Sequence, residues 1–195
     1  MNVMIVGIAG PSGSGKSTLA RQAVRQLPHA AVVKQDKFFK DSNTFPIIGA
    51  WRNWEVPQNI EWEEFGEALR LLKAGNRAWI PEYSKPEGRQ VGLRLVEPAP
   101  IVLVEGFLLF YEPRIRNLFD LKVYIQIGID AQLGRRLSRE PEFNADYFHQ
   151  VLVPNYANFG AEAEKYADQV IDGEQDPLAV LASFQNILGR LSKRS

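Results

Sequence analysis

The chain has 195 residues, 45% of them hydrophobic and 24% charged, with 23 Lys and Arg balanced by 23 Asp and Glu. A chain of this length and composition buries a proper core, and the natural expectation is one globular domain over residues 1–195. The absence of cysteine excludes disulfides, thiolate zinc sites and cysteine nucleophiles. The charge balance gives no basic field for an obligatory nucleic-acid partner, and no run approaches the roughly 20 apolar residues of a membrane span.

In chain order, the apolar run Val3–Ala9 predicts a buried strand. The segment before it lacks the basic stretch and cleavage site of a secretory signal, so a soluble, cytoplasmic protein is expected. Gly10 to Ser17 (Gly-Pro-Ser-Gly-Ser-Gly-Lys-Ser) then fits G-x-x-x-x-G-K-[ST], followed by a helical stretch, Lys16–Leu27, that Pro28 should stop. In such a loop the backbone N–H groups around Gly10, Ser12, Gly13, Ser14, Gly15 and Thr18, together with the helix N-terminus, wrap a phosphate. Lys16 would reach the β- and γ-phosphates and the Ser17 hydroxyl would ligate Mg²⁺, so the motif predicts a nucleoside triphosphate site. Ala30–Lys34 predicts the second strand. Asp36 follows it, either accepting a proton from a substrate hydroxyl or holding a metal through water, or simply opening a turn.

Residues 36–60 form a long connection whose Phe38, Phe39, Phe45, Trp51 and Trp54 argue against disorder. Trp62, Phe65, Leu69 and Leu72 mark an amphipathic helix with Glu61, Glu63 and Glu64 at its start and Gly75-Asn76 at its end. Residues 79–97 read as two short strands around a Pro-Gly turn. Both insertions belong beside the carboxyl ends of the first strands, where an acceptor would dock. Ile101–Val104 is a strand closed by Glu105, an acid placed to hold Mg²⁺ or its water shell, or else a solvated strand end; Gly106 permits close backbone approach. After the strand Leu121–Ile127, a helix capped by Asp130 carries Arg135, Arg136 and Arg139, which read as a solvated face or as a phosphate-neutralising lid. His29 and His149 are isolated and read as surface residues. Ala167–Ile171 supplies a fifth strand, and Asp176-Pro177 opens a last helix expected to bury Leu178, Leu181, Phe184, Leu188 and Leu191. The alternation implies a doubly wound α/β fold: a mostly parallel five-stranded sheet with helices on both faces.

Taken together, Gly10–Ser17, Gln35-Asp36-x-Phe38-Phe39, Asn53-Trp54-Glu55-Val56-Pro57, Glu105-Gly106-Phe107-Leu108-Leu109-Phe110, Arg135 to Arg139 and Lys165-Tyr166-Ala167-Asp168 carry a resemblance over nearly the whole chain. It resembles the uridine kinase/phosphoribulokinase group of P-loop kinases, particularly uridine–cytidine kinases and nicotinamide riboside kinases. The resemblance implies a P-loop NTPase fold with a helical lid at about 130–150, ATP and Mg²⁺ as cofactors, and transfer to the 5′-hydroxyl of a ribonucleoside. Asp36 would act on that hydroxyl, Lys16 and Ser17 would serve the nucleotide, and Glu105 would help hold the metal. Arg135, Arg136 and Arg139 would belong to the lid, Arg136 on the nucleotide and the other two in catalysis. Glu55 stands where the family has an aspartate gripping the ribose diol, and a carboxylate can accept from both hydroxyls. Trp54 replaces an aromatic neighbour, with Phe39, Tyr83, Arg89 and Tyr147 completing the acceptor set. The hairpin departs from the uridine kinase pattern: Ser84 and Lys85 replace Asp and Phe, and the histidine is missing. Tyr147 and Phe148 look closer to nicotinamide riboside kinases, whose cationic ring Glu82, Glu142 or Tyr147 would face. The adenine is expected near Asp172–Glu174. A sugar or pantothenate-like acceptor, a regulatory nucleotide-binding module, and a monomer or homodimer all stay open; the missing Asn-Lys-x-Asp argues against a GTPase.

Overall fold

Strands that are apolar on both faces need a layer of helices on each side, and the five expected strands find it in one parallel sheet. The computed structural model describes residues 2–27 and 29–192. In chain order these form β1 (Met4–Ala9), α1 (Lys16–Gln26), β2 (Ala30–Lys34), β3 (Ile47–Ile48), β4 (Trp51–Arg52), α2 (Trp62–Lys73), β5 (Ala78–Ser84) and β6 (Arg89–Val96). There follow β7 (Ile101–Gly106), α3 (Pro113–Arg116), β8 (Leu121–Gln126), α4 (Ile129–Arg139), α5 (Ala145–Tyr147), α6 (Val153–Phe159), β9 (Gln169–Asp172) and α7 (Pro177–Ser192). The main sheet runs β2-β7-β1-β8-β9, every pair parallel, while β3–β4 and β5–β6 are separate antiparallel hairpins.

The period-two alternation of β1 sorts the core into its two layers. Val6 and Ile8 pack with Leu19 and Ala23 of α1 and Phe184 of α7, whereas Ile5 and Ala9 face Phe65, Leu69 and Phe110 on the other side. Each fully buried phenylalanine contributes roughly 1.5–3 kcal/mol of transfer free energy. Helix α2 starts with Glu63 and Glu64 in its first turn and stops as the sequence implies: Gly75 N–H bonds to Leu72 O and Asn76 N–H to Leu71 O around a left-handed Gly75 (φ 78°). Among the described residues no helix is long and apolar enough to cross a membrane.

Four expectations need correcting or setting aside. Asp130 does not cap α4; Gly128 holds the cap position, its N–H taken by Glu174 Oε1 at 2.8 Å, and Asp130 sits in the first turn. Leu178 is 70% exposed, because the buried stripe of α7 is Val180, Leu181, Phe184 and Leu188 and the first turn lies off it. Asp176 does cap that helix through Leu178 N–H at 2.8 Å. The stop at Pro28 and the side chain of Leu191 lie outside the described residues.

The 36–60 connection is folded rather than loose. Phe39 bridges to Ile60, Lys40 N–H reaches Asn59 O at 2.8 Å, and Ser42 N–H reaches Gly88 O of the β5–β6 turn at 2.6 Å. Both insertions therefore form one wall at the carboxyl edge of β2 and β7. Residues 145–159 form a nearly continuous helix with a widened π turn at Phe148–Leu152, immediately before Pro154, which has no N–H to continue a regular ladder.

Candidate active site

The phosphate loop leaves β1 at Gly10, where a Cβ would lie 2.5 Å from the Ile125 carbonyl. It turns through Gly13 (φ 88°) and Gly15 (φ 98°), left-handed conformations that glycine adopts without strain. Ser14 N–H closes on Pro11 O at 3.1 Å, and α1 begins at Lys16. Lys16 is only 7% exposed; its ammonium folds back onto Pro11 O at 2.7 Å. Burial lowers its pKa to about 8, against the pull of the Glu105, Asp36 and Glu55 carboxylates. The ammonium also lies 3.5 Å from Ser14 Oγ, at the mouth of the loop.

This loop separates two cavities, of about 630 and 300 Å³, and Gly13, Lys16, Ser17 and Arg139 line both. Ser14, Gly15 and Thr18 line the smaller one, along with Arg135 and the Gly173–Gln175 turn. Ser12, Asp36, Glu55 and Glu105 line the larger.

Register in the sheet sets the acids. Glu105 pairs with Ile8 on one side and Lys34 on the other, which points its carboxylate at the start of α1. There it accepts the Ser17 hydroxyl at 2.7 Å, with Lys34 Nζ at 3.9 Å. Asp36 rides the 3₁₀ turn Gln35–Phe38, and its Oδ1 is buried without a hydrogen-bond partner. Gly106 makes this arrangement fit: a Cβ there would collide with the Gln35 side chain, which is fully buried and accepts Leu108 N–H at 3.0 Å. Ser17 and Glu105 present oxygen donors alone, the chemistry a hard cation such as Mg²⁺ takes, and on the same cavity the buried Asp36 Oδ1 is left without a protein partner. No group of three or more His, Cys, Asp or Glu ligands exists among the described residues, so phosphate and water oxygens would complete that shell.

The opposite wall carries Phe39, Trp54, Glu55, Phe107 and Tyr147. Trp54 stands edge-on to Phe39 (5.5 Å) and Phe45 (5.0 Å), which fixes its indole. Glu55 is buried, and that burial raises its carboxyl pKa. The Tyr147 hydroxyl donates to Glu55 Oε1 at 3.1 Å and accepts Trp54 N–H at 3.3 Å; burial and the Glu55 charge push its phenol well above the usual range.

The three arginines diverge. Arg135 donates to Gly173 O at 2.7 Å beside the smaller cavity. Arg136 donates to Ser12 Oγ and lies over the Phe143 ring; burial lowers its pKa although Glu140 opposes this. Arg139 pairs with Glu140 at 2.9 Å, between the two cavities.

Two expected acceptor residues are not brought to the cavity. Tyr83 is buried in the core behind Phe39 and Trp54, 5.7 and 6.3 Å between ring centres. Arg89 points into solvent at the hairpin turn and pairs with Glu87 at 3.1 Å. Glu82 is exposed off the cavity, and Glu142 lines a separate shallow groove with Trp51 and Phe143. In their place Arg52 and Lys85 reach the larger cavity. Lys85 stands out in the sequence only as a departure from the uridine kinase pattern, and Arg52, Phe143 and Asn155 belong to no short motif that would mark them. His29 and His149 are exposed, as expected.

The model of the Phosphoribulokinase / Uridine kinase family matches residues 5–173. A uridine kinase of Borrelia hermsii is 31% identical over 96% of this chain and 97% of its own length. One from Schizosaccharomyces pombe is 31% identical over 91% of this chain, which spans only 42% of that longer protein. A solved structure described as a possible uridine kinase from Bacillus stearothermophilus has the same fold, with a TM-score of 0.61, 22% identity, and coverage of 88% of this chain and 90% of that one. From the first strand to the turn after the last, through phosphate loop, acids and arginine helix, the chain belongs to the Phosphoribulokinase / Uridine kinase family.

Proposed function

We propose that the chain is an ATP-dependent kinase that phosphorylates the 5′-hydroxyl of a ribonucleoside. The observation that carries this reading is the convergence of Lys16, Asp36 and Glu105 with the diol-gripping candidate Glu55 on one cavity of about 630 Å³, a volume suited to a small acceptor. The 300 Å³ cavity beside Arg135 and Gly173 suits the donor's adenosine end. Glu55 would accept from the ribose 2′- and 3′-hydroxyls and so aim the 5′-oxygen at the γ-phosphorus. Asp36 would take the hydroxyl proton as that oxygen forms its bond to phosphorus and the bond to the leaving ADP oxygen breaks. Lys16 and Arg139, on the shared rim, would neutralise the phosphoryl oxygens. Held by Ser17 and Glu105 with the phosphates, Mg²⁺ would supply further charge neutralisation there. A diffusible acceptor and a chain without cysteine fit a cytoplasmic enzyme.

A second reading, a non-nucleoside alcohol such as pantothenate or a sugar derivative, draws on Arg52 and Lys85 in the acceptor cavity, which suit an anionic group. The same pair speaks against a cationic nicotinamide. An acceptor panel assayed by ADP release separates these readings: uridine, cytidine, nicotinamide riboside, pantothenate and pentoses. Turnover on a ribonucleoside, with a strong loss for its 2′-deoxy counterpart, is expected. Turnover confined to pantothenate or pentoses would move the assignment to the second reading. Tight ATP binding without turnover on any acceptor would leave a regulatory module.

A further inference from the structure

A continuous row of contacts joins the phosphate loop to the acid on the far wall. Arg136 of α4 donates to Ser12 Oγ. Its guanidinium carbon lies 4.1 Å over the ring of Phe143, which meets Tyr147 edge-on with 6.1 Å between ring centres. Tyr147 in turn holds Glu55 Oε1 at 3.1 Å and the Trp54 N–H at 3.3 Å. A second tie fastens the same two segments: Asn155 Oδ1 accepts from Asn53 Nδ2 at 3.2 Å, and Asn53 Oδ1 accepts the Glu55 N–H at 2.9 Å. Asn155 is itself anchored to Val151 O at 2.7 Å, and both asparagine side chains are buried. The segment carrying Glu55 is thus tied at two points, Tyr147 and Asn155, to the helix over 145–159.

The weak point of this row is at the loop. Arg136 is largely buried and its Nε has no partner; its charge is met only at the far end, by Glu140 at 3.4 Å, and its contact with the loop is a neutral hydroxyl. A nucleotide phosphate arriving at the loop is a far stronger partner for a guanidinium than the Ser12 hydroxyl. Any shift of Arg136 toward it carries the Phe143 ring stacked beneath, and Phe143 bears on Tyr147.

We infer that Arg136, Phe143 and Tyr147 are positioning residues that transmit occupancy of the phosphate loop to Glu55, so that nucleotide and acceptor bind with positive coupling. For the acceptor half, this rests on the kinase reading above. Linkage makes the effect reciprocal: the factor by which nucleotide raises acceptor affinity is the factor by which acceptor raises nucleotide affinity, and coupling on the order of tenfold is the usual size. Spatial continuity alone is no demonstration of coupling, so the measurement has to report on Glu55 itself.

Hydrogen–deuterium exchange on the full chain, with and without the non-hydrolysable analogue AMP-PNP and Mg²⁺, does so without any acceptor. In the unmodified protein the analogue should slow exchange of the phosphate-loop amides and also of the Trp54 and Glu55 amides, by severalfold. In Phe143→Leu and in Tyr147→Phe the loop amides should still be slowed, while the nucleotide-dependent change at Trp54 and Glu55 disappears. Tyr147→Phe removes one oxygen, so it serves if Phe143→Leu folds poorly. Protection of the loop without any change at Trp54 and Glu55, or the same change in both variants, overturns the coupling. Failure of the acceptor panel leaves this result standing. Failure of AMP-PNP to bind removes the coupling and the nucleotide site together.

Discussion

The two walls of the larger cavity are made by opposite means. The phosphate wall comes from one octapeptide, Gly10–Ser17, of which Ser12, Gly13, Lys16 and Ser17 face this cavity, and it works through main-chain conformation and one lysine. The acceptor wall gathers side chains from separate stretches of the chain: Asp36 and Phe39, Trp54 and Glu55, Phe107, and Tyr147. A wall made of backbone tolerates few changes and recognises what all nucleotides share. A wall made of side chains can be rebuilt one residue at a time, and acceptor choice can drift on a constant phosphate site. Here Ser84, Lys85 and Glu55 already depart from the uridine kinase pattern, while the loop matches its motif at every position.

That division can be tested where the walls meet. Asp36→Asn should lower kcat about 100-fold or more, the usual contribution of a positioned base. AMP-PNP affinity, read by calorimetry, should stay within about threefold because Asp36 belongs to the acceptor side. A parallel loss of nucleotide affinity would move Asp36 to the metal and redraw the boundary. Glu55→Gln should raise the acceptor KM about tenfold, the scale of a lost charged hydrogen bond, and leave the ATP KM unchanged. The preference for a ribose over its 2′-deoxy counterpart should shrink with it.

A gentler perturbation is pH. Lys16, with its pKa lowered to about 8, should lose its charge in the free protein as pH rises through that value, and AMP-PNP affinity should weaken there. Stability should respond with the opposite sign. Between about 8 and the ordinary 10.5, the unfolded chain keeps the Lys16 proton that the folded chain has released, so the unfolded state binds more protons and stability rises with pH. Calorimetry and thermal melts on both sides of pH 8 check the two signs, and an ordinary lysine would give neither. The smallest expected effect is that of Arg89→Gln, whose exposed pair with Glu87 should leave the acceptor KM within about twofold. A larger change would mean that the β5–β6 turn folds onto the acceptor.

The same contrast explains what could be read in advance. The five strands, the helix boundaries at Lys16 and Gly75, and the phosphate loop follow from local rules: apolar runs, glycine conformations and caps. Glu105 was legible because it sits at the end of a strand, where the parallel register fixes its direction, and Asp36 because it opens the turn just after β2. Tyr83 and Arg89 lie off the cavity, and which face of a hairpin meets it depends on tertiary packing that composition does not reveal. Asn53 and Asn155 lie 102 positions apart, and nothing local in either marks the bond between them. Leu178 shows the limit of counting apolar positions, since the stripe that packs is set by where the helix lands on the sheet.

Gly106 and Gln35 are neighbours in space and strangers in sequence, the side chain of one filling the room that the other lacks. Neither can be exchanged alone: a larger residue at 106 displaces Gln35, and losing Gln35 leaves the Leu108 N–H without its acceptor. Lineages that diverge from this chain should therefore change the two positions in step or not at all. A library randomised at both sites and selected for activity should return paired solutions, not independent ones.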